Sequence, residues 1–372
     1  MGDGMTPKER IETTIKCEQP DRIPVTPMIG FFAALYTGTK ASEFELNPEI
    51  ASKALEKTLE KLGGVDQVFP SWGIGLAFTK LLPLKVLLPG TDLPEDTPHQ
   101  IVEEEIMKVE DYDLAIEEGL GGLYAKISER LGRELTIDTI IDATLKLIPQ
   151  YEYWENEKKI PVENGGNISI PVDYFSMARS LPEFSKDVFR RPEKIVEASD
   201  AIIQDCVNLG EMQCEALENK TVFIGATRAS ATFMSEKMFL KFFFPYLKEC
   251  CETLIKDGYT PLLHFDNDWT PFLEHFLELP KRKCILDLDG FTDIFKAKEI
   301  LDGHMCIQGD VPATILAYGT PKEVEKYCKK LIDVVGERGG FILSSGCEVP
   351  YNAKFENVKV MVDSAKKYGK YS

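Results

Sequence analysis

The sequence predicts an α/β fold, an eight-stranded (β/α)8 TIM barrel with an N-terminal helical extension and loop insertions. Three observations carry this reading. From residue 166 onward, short apolar runs alternate with amphipathic stretches in five or six successive units. Such alternation requires parallel strands joined by crossover helices. The apolar runs end in polar residues, as expected where a site lies at the carboxyl ends of barrel strands. The length of 372 residues accommodates one large domain, 1–372, with excursions at about 80–115 and 145–165. An open doubly wound sheet is the alternative. No GxGxxG or P-loop motif follows any strand, so the usual nucleotide sites are absent.

The elements follow in order. In "MTPKERIETTIKCEQPDRIPV", Thr6 is an N-cap, Pro7 the first helical residue and Glu9, three residues after Thr6, completes a capping box. Pro20-Asp21 breaks that helix. "IPVTPMIG" reads as a strand whose prolines limit its depth in a sheet. Residues 48–62 read as a helix, and "VDQVFPSWGIG" as a second strand with an exposed turn. Residues 80–115, rich in Pro, Asp and Glu, read as a hairpin or lid, and 145–165 as a second excursion. Then come "ISIPVD" as a strand, "RRPEKIVEASDAIIQDCVNLG" as a helix closed by Gly210, and "TVFIGA" as a strand. A long helix broken at Pro245 and closed by Gly258 precedes "TPLLHFD". The strands "KCILDLD", "MCIQGDVP" and "GFILSSGCEVP" follow, separated by helices, and a final helix closes the chain. No internal repeat or low-complexity segment interrupts this.

Composition excludes several classes. The hydrophobic share is 44% and the charged share 28%, as in ordinary globular proteins. No apolar run approaches the roughly 20 residues that span a bilayer, and no secretory signal opens the chain, so a cytoplasmic protein is expected. "MGDGMT" matches the bare myristoylation pattern, but no polybasic patch or second lipid signal follows. The net charge of −18 argues against nucleic acid and anionic membranes as partners. The nine cysteines are odd in number and contain no CxxC pair, which indicates reduced thiols. Most are expected to be small buried hydrophobes.

The polar strand ends locate the chemistry. "PLLHFDNDWT" carries His264, Asp266 and Asp268 on alternate positions, and alternate strand residues share a face. Other runs end in Thr227 and Arg228, in Asp287 and Asp289, in Gln308 and Asp310, and in Ser345, Cys347 and Glu348. His264, Asp266 and Cys347 offer one nitrogen, one oxygen and one sulfur ligand. Three protein ligands with an open fourth position is the arrangement of catalytic zinc. His304 begins its strand and so faces the opposite end of the barrel. Asp287 and Asp289 read either as rim groups or as caps ahead of "FTDIF". Arg228 reads either as an anchor for anionic groups or as a surface ion pair. Trp269 reads as a packing residue. Trp72, Tyr151, Tyr153 and Trp154 could wall a flat substrate or pack beneath a lid.

These segments resemble the uroporphyrinogen decarboxylase superfamily, and within it the corrinoid-dependent methyltransferases. The resemblance rests on the opening "MTPKERIETTIKCEQPDRIPV", on "LLHFD" in place of a His-x-Cys or His-x-Asp strand end, and on "IQGDVPATILAYGTPKEVE" and "GGFILSSGCEVPYNAKFENVKVMVDSAKKYG" as the last two β/α units. The decarboxylases carry an arginine-rich element after the first strand; here "PMIGFFAALYTG" has no arginine. The resemblance implies zinc held by His264 and Cys347. Asp266 stands where the thiol-methylating branch has a second cysteine. An oxygen ligand keeps a metal Lewis-acidic toward oxygen, as methyl-ether cleavage needs. The reading is therefore an O-demethylase component, moving a methyl group from a methoxylated substrate to cob(I)alamin on a partner corrinoid protein. Arg228, Asp289, Asp310, Trp72 and Trp154 are the expected substrate or corrinoid contacts, and a homodimer is possible. The alternatives are transfer from a methyl-corrinoid to a thiol, amine or folate, a decarboxylase, and a non-catalytic tetrapyrrole-binding barrel.

Overall fold

In the computed structural model, which describes residues 4–72, 79 and 82–371, eight parallel staves form the barrel. Six are regular strands lying side by side in chain order: Gly166–Ser169 (stave 3), Thr221–Ala226 (stave 4), Thr260–Phe265 (stave 5), Ile285–Leu288 (stave 6), Cys306–Val311 (stave 7) and Phe341–Ser345 (stave 8). The other two are extended segments, 24–26 (stave 1) and 65–68 (stave 2). They close the ring. The Leu343 N–H donates to the Pro24 carbonyl at 2.9 Å and the Thr26 N–H to the Leu343 carbonyl at 2.9 Å. The Asp66 N–H then donates to the Val25 carbonyl at 2.9 Å, and the Val68 N–H to the Pro161 carbonyl at 3.0 Å. Pro24, Pro27 and Pro70 lack the N–H a longer ladder would need, which keeps these two staves short.

The first helix, Pro7–Ile15, carries the full Thr6/Glu9 capping box. It plugs the amino end of the barrel. Ile11 packs on Leu262, Ile285, Cys306 and Ile342, which together form an apolar floor inside the staves. Arg10 fixes the plug through Asp21 and Asp66, each at 2.6 Å, and Arg22 joins Asp66 at 2.8 Å. Asp66 also accepts the Val25 N–H at 2.8 Å, so one buried carboxylate ties the plug to staves 1 and 2.

Between staves 2 and 3 the chain leaves the barrel. An antiparallel hairpin, Lys85–Leu87 with Gln100–Val102, forms in the first excursion; residues 80 and 81 lie outside the described set, as do Gly73 to Gly75 of the expected turn and Met1 to Asp3 of the "MGDGMT" pattern. Helices Asp111–Leu131 and Ile137–Leu145 follow. The second excursion is helical over Ile148–Glu152 and Tyr153–Glu157, and its last residues already run alongside stave 2.

Three local expectations differ. "ISIPVD" ends as a strand at Ser169, because Pro171 starts helix Pro171–Arg179, where its missing N–H costs nothing. The helix Pro192–Ala216 runs through Gly210. A Cβ there would sit 3.0 Å from Ile168 and 3.1 Å from Val222, so this glycine permits close helix–barrel packing and is not a stop. Thr270–Glu278 is a 3-10 helix. Among the described residues, no helix is long and apolar enough to cross a membrane.

Candidate metal centre

Staves 5, 6 and 7 place His264 beside Asp287 and Asp287 beside Gln308 in one hydrogen-bonded register. Residues in such a row project to the same side of the sheet, here the barrel interior, one layer above the apolar floor. All three are buried. His264 Nδ1 meets Asp287 Oδ2 at 2.6 Å, so the ring donates Nδ1–H to the carboxylate. That orientation turns Nε2 toward Asp266 Oδ1 at 3.5 Å and Cys347 Sγ at 3.6 Å. Phe223 lies against the imidazole, ring centroids 5.1 Å apart at 28°. One ligand atom from each of His264, Asp266 and Cys347 falls within 4.8 Å of the others.

Two loops deliver the flanking ligands. Asp266 follows stave 5, with its N–H on the Ala226 carbonyl at 3.1 Å. Its own carbonyl accepts Trp269 Nε1–H at 2.7 Å, and Trp269 stacks on Phe265 at 4.4 Å. Asp289 joins this loop to the next by accepting the Asn267 N–H at 2.7 Å and the Phe291 N–H at 2.9 Å. Cys347 follows stave 8 through Gly346. A Cβ on Gly346 would come within 2.3 Å of the Asp289 carbonyl oxygen, so only glycine lets this turn lie against the stave 6 loop and present the thiol.

The electrostatics suit a cation. Burial opposes a charge on His264, but Asp266, Asp287 and Cys347 outweigh it and hold the imidazolium well above the ordinary histidine range. A ring held protonated by two carboxylates and a thiol is a donor set in which protons stand where a metal ion would bind. The residues therefore fit a divalent metal of borderline softness: one imidazole, one carboxylate and one thiol, with a second carboxylate behind the imidazole.

The three side chains open into a cavity of about 470 Å³. Its near end also carries Asp173, Arg228 and Glu348. Much of its wall is apolar, with Leu120, Met177, Leu209 and Phe223. Among the described residues, the buried Tyr174 hydroxyl in that wall has no hydrogen-bond partner. Burial lifts the Asp173 carboxyl to about 6, against the pull of the Arg228 and Thr227 backbone N–H groups it accepts. Burial likewise raises Glu348, whose Oε1 accepts the Phe31 N–H at 2.7 Å.

The remaining expected contacts lie as follows. Arg228 lines the cavity, but its guanidinium grips Glu103 at 2.5 Å and the Ser176 carbonyl at 2.8 Å, clasping the excursion to helix Pro171–Arg179. Asp289 spends its oxygens on loop N–H groups. Asp310 points away from the cavity and accepts the Tyr327 hydroxyl at 2.8 Å. Trp72 and Trp154 stack on each other at 6.1 Å and 5° in the core, with Trp154 Nε1 donating to Ser52 at 2.9 Å. Neither tryptophan lines the cavity; Tyr151 closes the same stack edge-on. Asp268 accepts the Thr270 N–H at 2.9 Å, at the start of the 3-10 helix. His304 bonds the Leu279 carbonyl at the opposite barrel end, as its place in the chain implies. Sequence reasoning left Asp173, Tyr174 and Glu163 unnamed. Glu163 accepts Gln308 Nε2–H at 2.8 Å inside the barrel.

Residues 151–368 match the family model described as uroporphyrinogen decarboxylase (URO-D), and the chain belongs to that family. A uroporphyrinogen decarboxylase of Chlorobium phaeobacteroides is 30% identical over 142 residues, covering 37% of this chain and 39% of that protein. The methylcobamide:CoM methyltransferase MtbA of Methanosarcina acetivorans is 25% identical over 177 residues, covering 46% and 50%. The chain thus spans about half, or less, of the length of the curated relatives it matches. A solved methyltransferase from Methanosarcina mazei shares the fold, with a TM-score of 0.73 over 98% of this chain and 99% of that one at 19% identity.

Proposed function

We propose that this protein is a corrinoid-dependent methyltransferase that takes the methyl group of a methyl ether, with zinc held by His264, Asp266 and Cys347 and the cobalamin carried by a partner corrinoid protein. The observation that carries this is the mixed N, O and S donor set opening into a largely apolar cavity. Similarity to a methylcobamide methyltransferase supports the same branch. Zinc, when bound, supplies a Lewis acid for the ether oxygen. Asp287 keeps the His264 ring in the tautomer that offers Nε2. The apolar wall excludes water and holds the substrate's hydrocarbon body, and Tyr174 offers an unspent hydroxyl to a polar group on it. Methyl transfer breaks the carbon–oxygen bond and leaves the electron pair on oxygen. Asp173, poised near neutral pH, is the wall carboxyl suited to return a proton there.

A decarboxylase reading fits less well. Among the described lining residues Arg228 is the one arginine, and Glu103 engages it, while Asp173, Asp266 and Glu348 add negative charge. A tetrapyrrole bearing many carboxylates would meet repulsion there. Phe291, Tyr318 and Tyr351, exposed by 75%, 76% and 55%, lie in the segments that follow staves 6, 7 and 8. Exposed aromatic side chains of this kind support a protein partner.

The test is methyl transfer from a panel of aryl and alkyl methyl ethers to a reduced corrinoid protein, followed by the corrinoid absorbance. Zinc-dependent transfer from an ether is expected. Transfer only from a methylated corrinoid to a thiol would replace this reading with the reverse one.

A further inference from the structure

We infer that Glu163 is a neutral carboxylic acid that begins a positioning chain, Glu163–Gln308–Asp287, fixing the His264 ring from inside the barrel. The consequence for the metal rests on the reading above; the protonation of Glu163 does not. Glu163 precedes stave 3 and reaches across the barrel interior to Gln308 of stave 7, whose Nε2 donates to its Oε1 at 2.8 Å. Gln308 neighbours Asp287 in register and its amide favours the Asp287 charge. Asp287 in turn holds His264 Nδ1–H at 2.6 Å. The four side chains are thus linked from stave 3 to stave 5 through the middle of the barrel.

Among the described residues, three oxygens of this chain have no hydrogen-bond partner: Glu163 Oε2, Asp287 Oδ1 and Gln308 Oε1. All belong to buried residues, Glu163 being 2% exposed. With both carboxylates ionised, two negative charges and three acceptors lie together in a buried interior where the second Gln308 amide hydrogen can serve only one of them, which is costly. One proton on Glu163 changes this. Its carboxyl then carries a donor as well as an acceptor, and one of two buried negative charges disappears. The titratable groups facing Glu163 are Asp287, which favours the proton, and His264, which opposes it; burial is the largest influence and lifts the carboxyl to about 8. The bond from Gln308 Nε2 to Glu163 Oε1 turns the NH2 end of the amide toward Glu163. The other amide hydrogen is then free for Asp287, and the Asp287 oxygen facing His264 is held in place.

The experiment has two independent readings on the purified full chain. First, infrared difference spectra at pH 7, metal-free, should contain the carbonyl stretch of a protonated carboxyl that Glu163→Gln abolishes. A wild-type spectrum without a band sensitive to that substitution overturns the inference. Second, zinc affinity is measured by competition with a chromophoric chelator. Glu163→Gln, the neutral isostere, should stay within about two-fold of wild type, while Gln308→Met, which cuts the chain, should weaken zinc at least about ten-fold. Equal affinity of wild type and Gln308→Met removes the positioning role. Wild-type protein that binds no zinc but shows the band refutes the function proposed above and leaves the protonated Glu163 standing.

Discussion

Removing the carboxylate behind His264 is the sharpest probe of the centre. In Asp287→Ala the ring loses the acceptor of its Nδ1–H, a 2.6 Å contact between buried groups. A buried hydrogen bond to a charged group contributes about 1.5–3 kcal/mol. Loss of a carboxylate behind a metal-bound imidazole typically costs about 10–100-fold in metal affinity, or roughly 1.4–2.7 kcal/mol, so the two routes agree. Asp287→Asn retains an amide oxygen that can still accept Nδ1–H, and its loss should be smaller, about 3–10-fold, since a neutral acceptor binds roughly half as strongly. The expected order of zinc affinity is therefore wild type, then Asn, then Ala. Chelator competition gives the affinities, and the rise in melting temperature with added zinc gives an independent check, because a ligand that binds only the native state stabilises it by mass action. If Asp287→Ala binds zinc as tightly as wild type, His264 does not depend on Asp287 for its orientation and the tautomer argument fails.

Four further outcomes are expected. Cys347→Ser should lose zinc, since a neutral hydroxyl replaces a thiolate; stoichiometric zinc in that variant would remove Cys347 from the ligand set. Asp266→Cys should hold or raise zinc affinity while ether demethylation falls about ten-fold, or about 1.4 kcal/mol of transition-state stabilisation; an unchanged rate at equal zinc loading would mean that Asp266 does not tune the metal. Phe291→Ser combined with Tyr318→Ser should raise the KM for the corrinoid protein about ten-fold with little change in kcat; an unchanged KM would refute docking on these side chains. Asp310→Asn should flatten the dependence of stability on pH. Burial raises the folded Asp310 carboxyl from 3.8 to about 7, so the native state holds the extra proton between those values and stability falls as pH rises through that window. The decline is roughly 4 kcal/mol at most over the whole window, and chemical denaturation at pH 5 and pH 8 should find about 2.7 kcal/mol of it in wild type but not in Asp310→Asn; parallel slopes would contradict the assignment.

The parts of the site that were legible are those fixed by strand direction. His264, Asp266 and Cys347 end apolar runs, and parallel strands bring such ends to one face whatever their order. Lateral register was not legible. That Asp287 sits beside His264 depends on which residue pairs with which across two strands, and "KCILDLD" alone allows a rim or capping role equally. Asp293, five residues after Leu288, supplies the helix cap instead. Glu163 was hidden for another reason: Pro161, Gly165 and Gly166 make "IPVENGG" read as loop, although its backbone already bonds to stave 2. The tryptophans illustrate a competition between two uses of an aromatic ring. Trp72 and Trp154 each bury a large apolar surface against the other, and core packing satisfies them without a ligand. Asp310 was placed on the rim by its position after an apolar run, but its side chain turns outward to Tyr327 on the helix Pro321–Val334.

The vertical order of the barrel interior gives these residues a common logic. At the bottom, Ile11 and its neighbours form a dry floor. Above it lies the polar row of His264, Asp287 and Gln308 with Glu163, and above that the carboxylate and thiol of Asp266 and Cys347, facing the cavity. On the reading proposed above, a divalent ion, the Asp266 carboxylate and the Cys347 thiolate sum to zero charge, and Asp287 brings the centre to −1. An ionised Glu163 would bring it to −2 directly above the apolar floor, where an unpaired charge costs several kcal/mol. A neutral Glu163 avoids that cost while still ordering the Gln308 amide. Within this row one ionised carboxylate, Asp287, orients the imidazole, and its neighbours Gln308 and Glu163 are neutral.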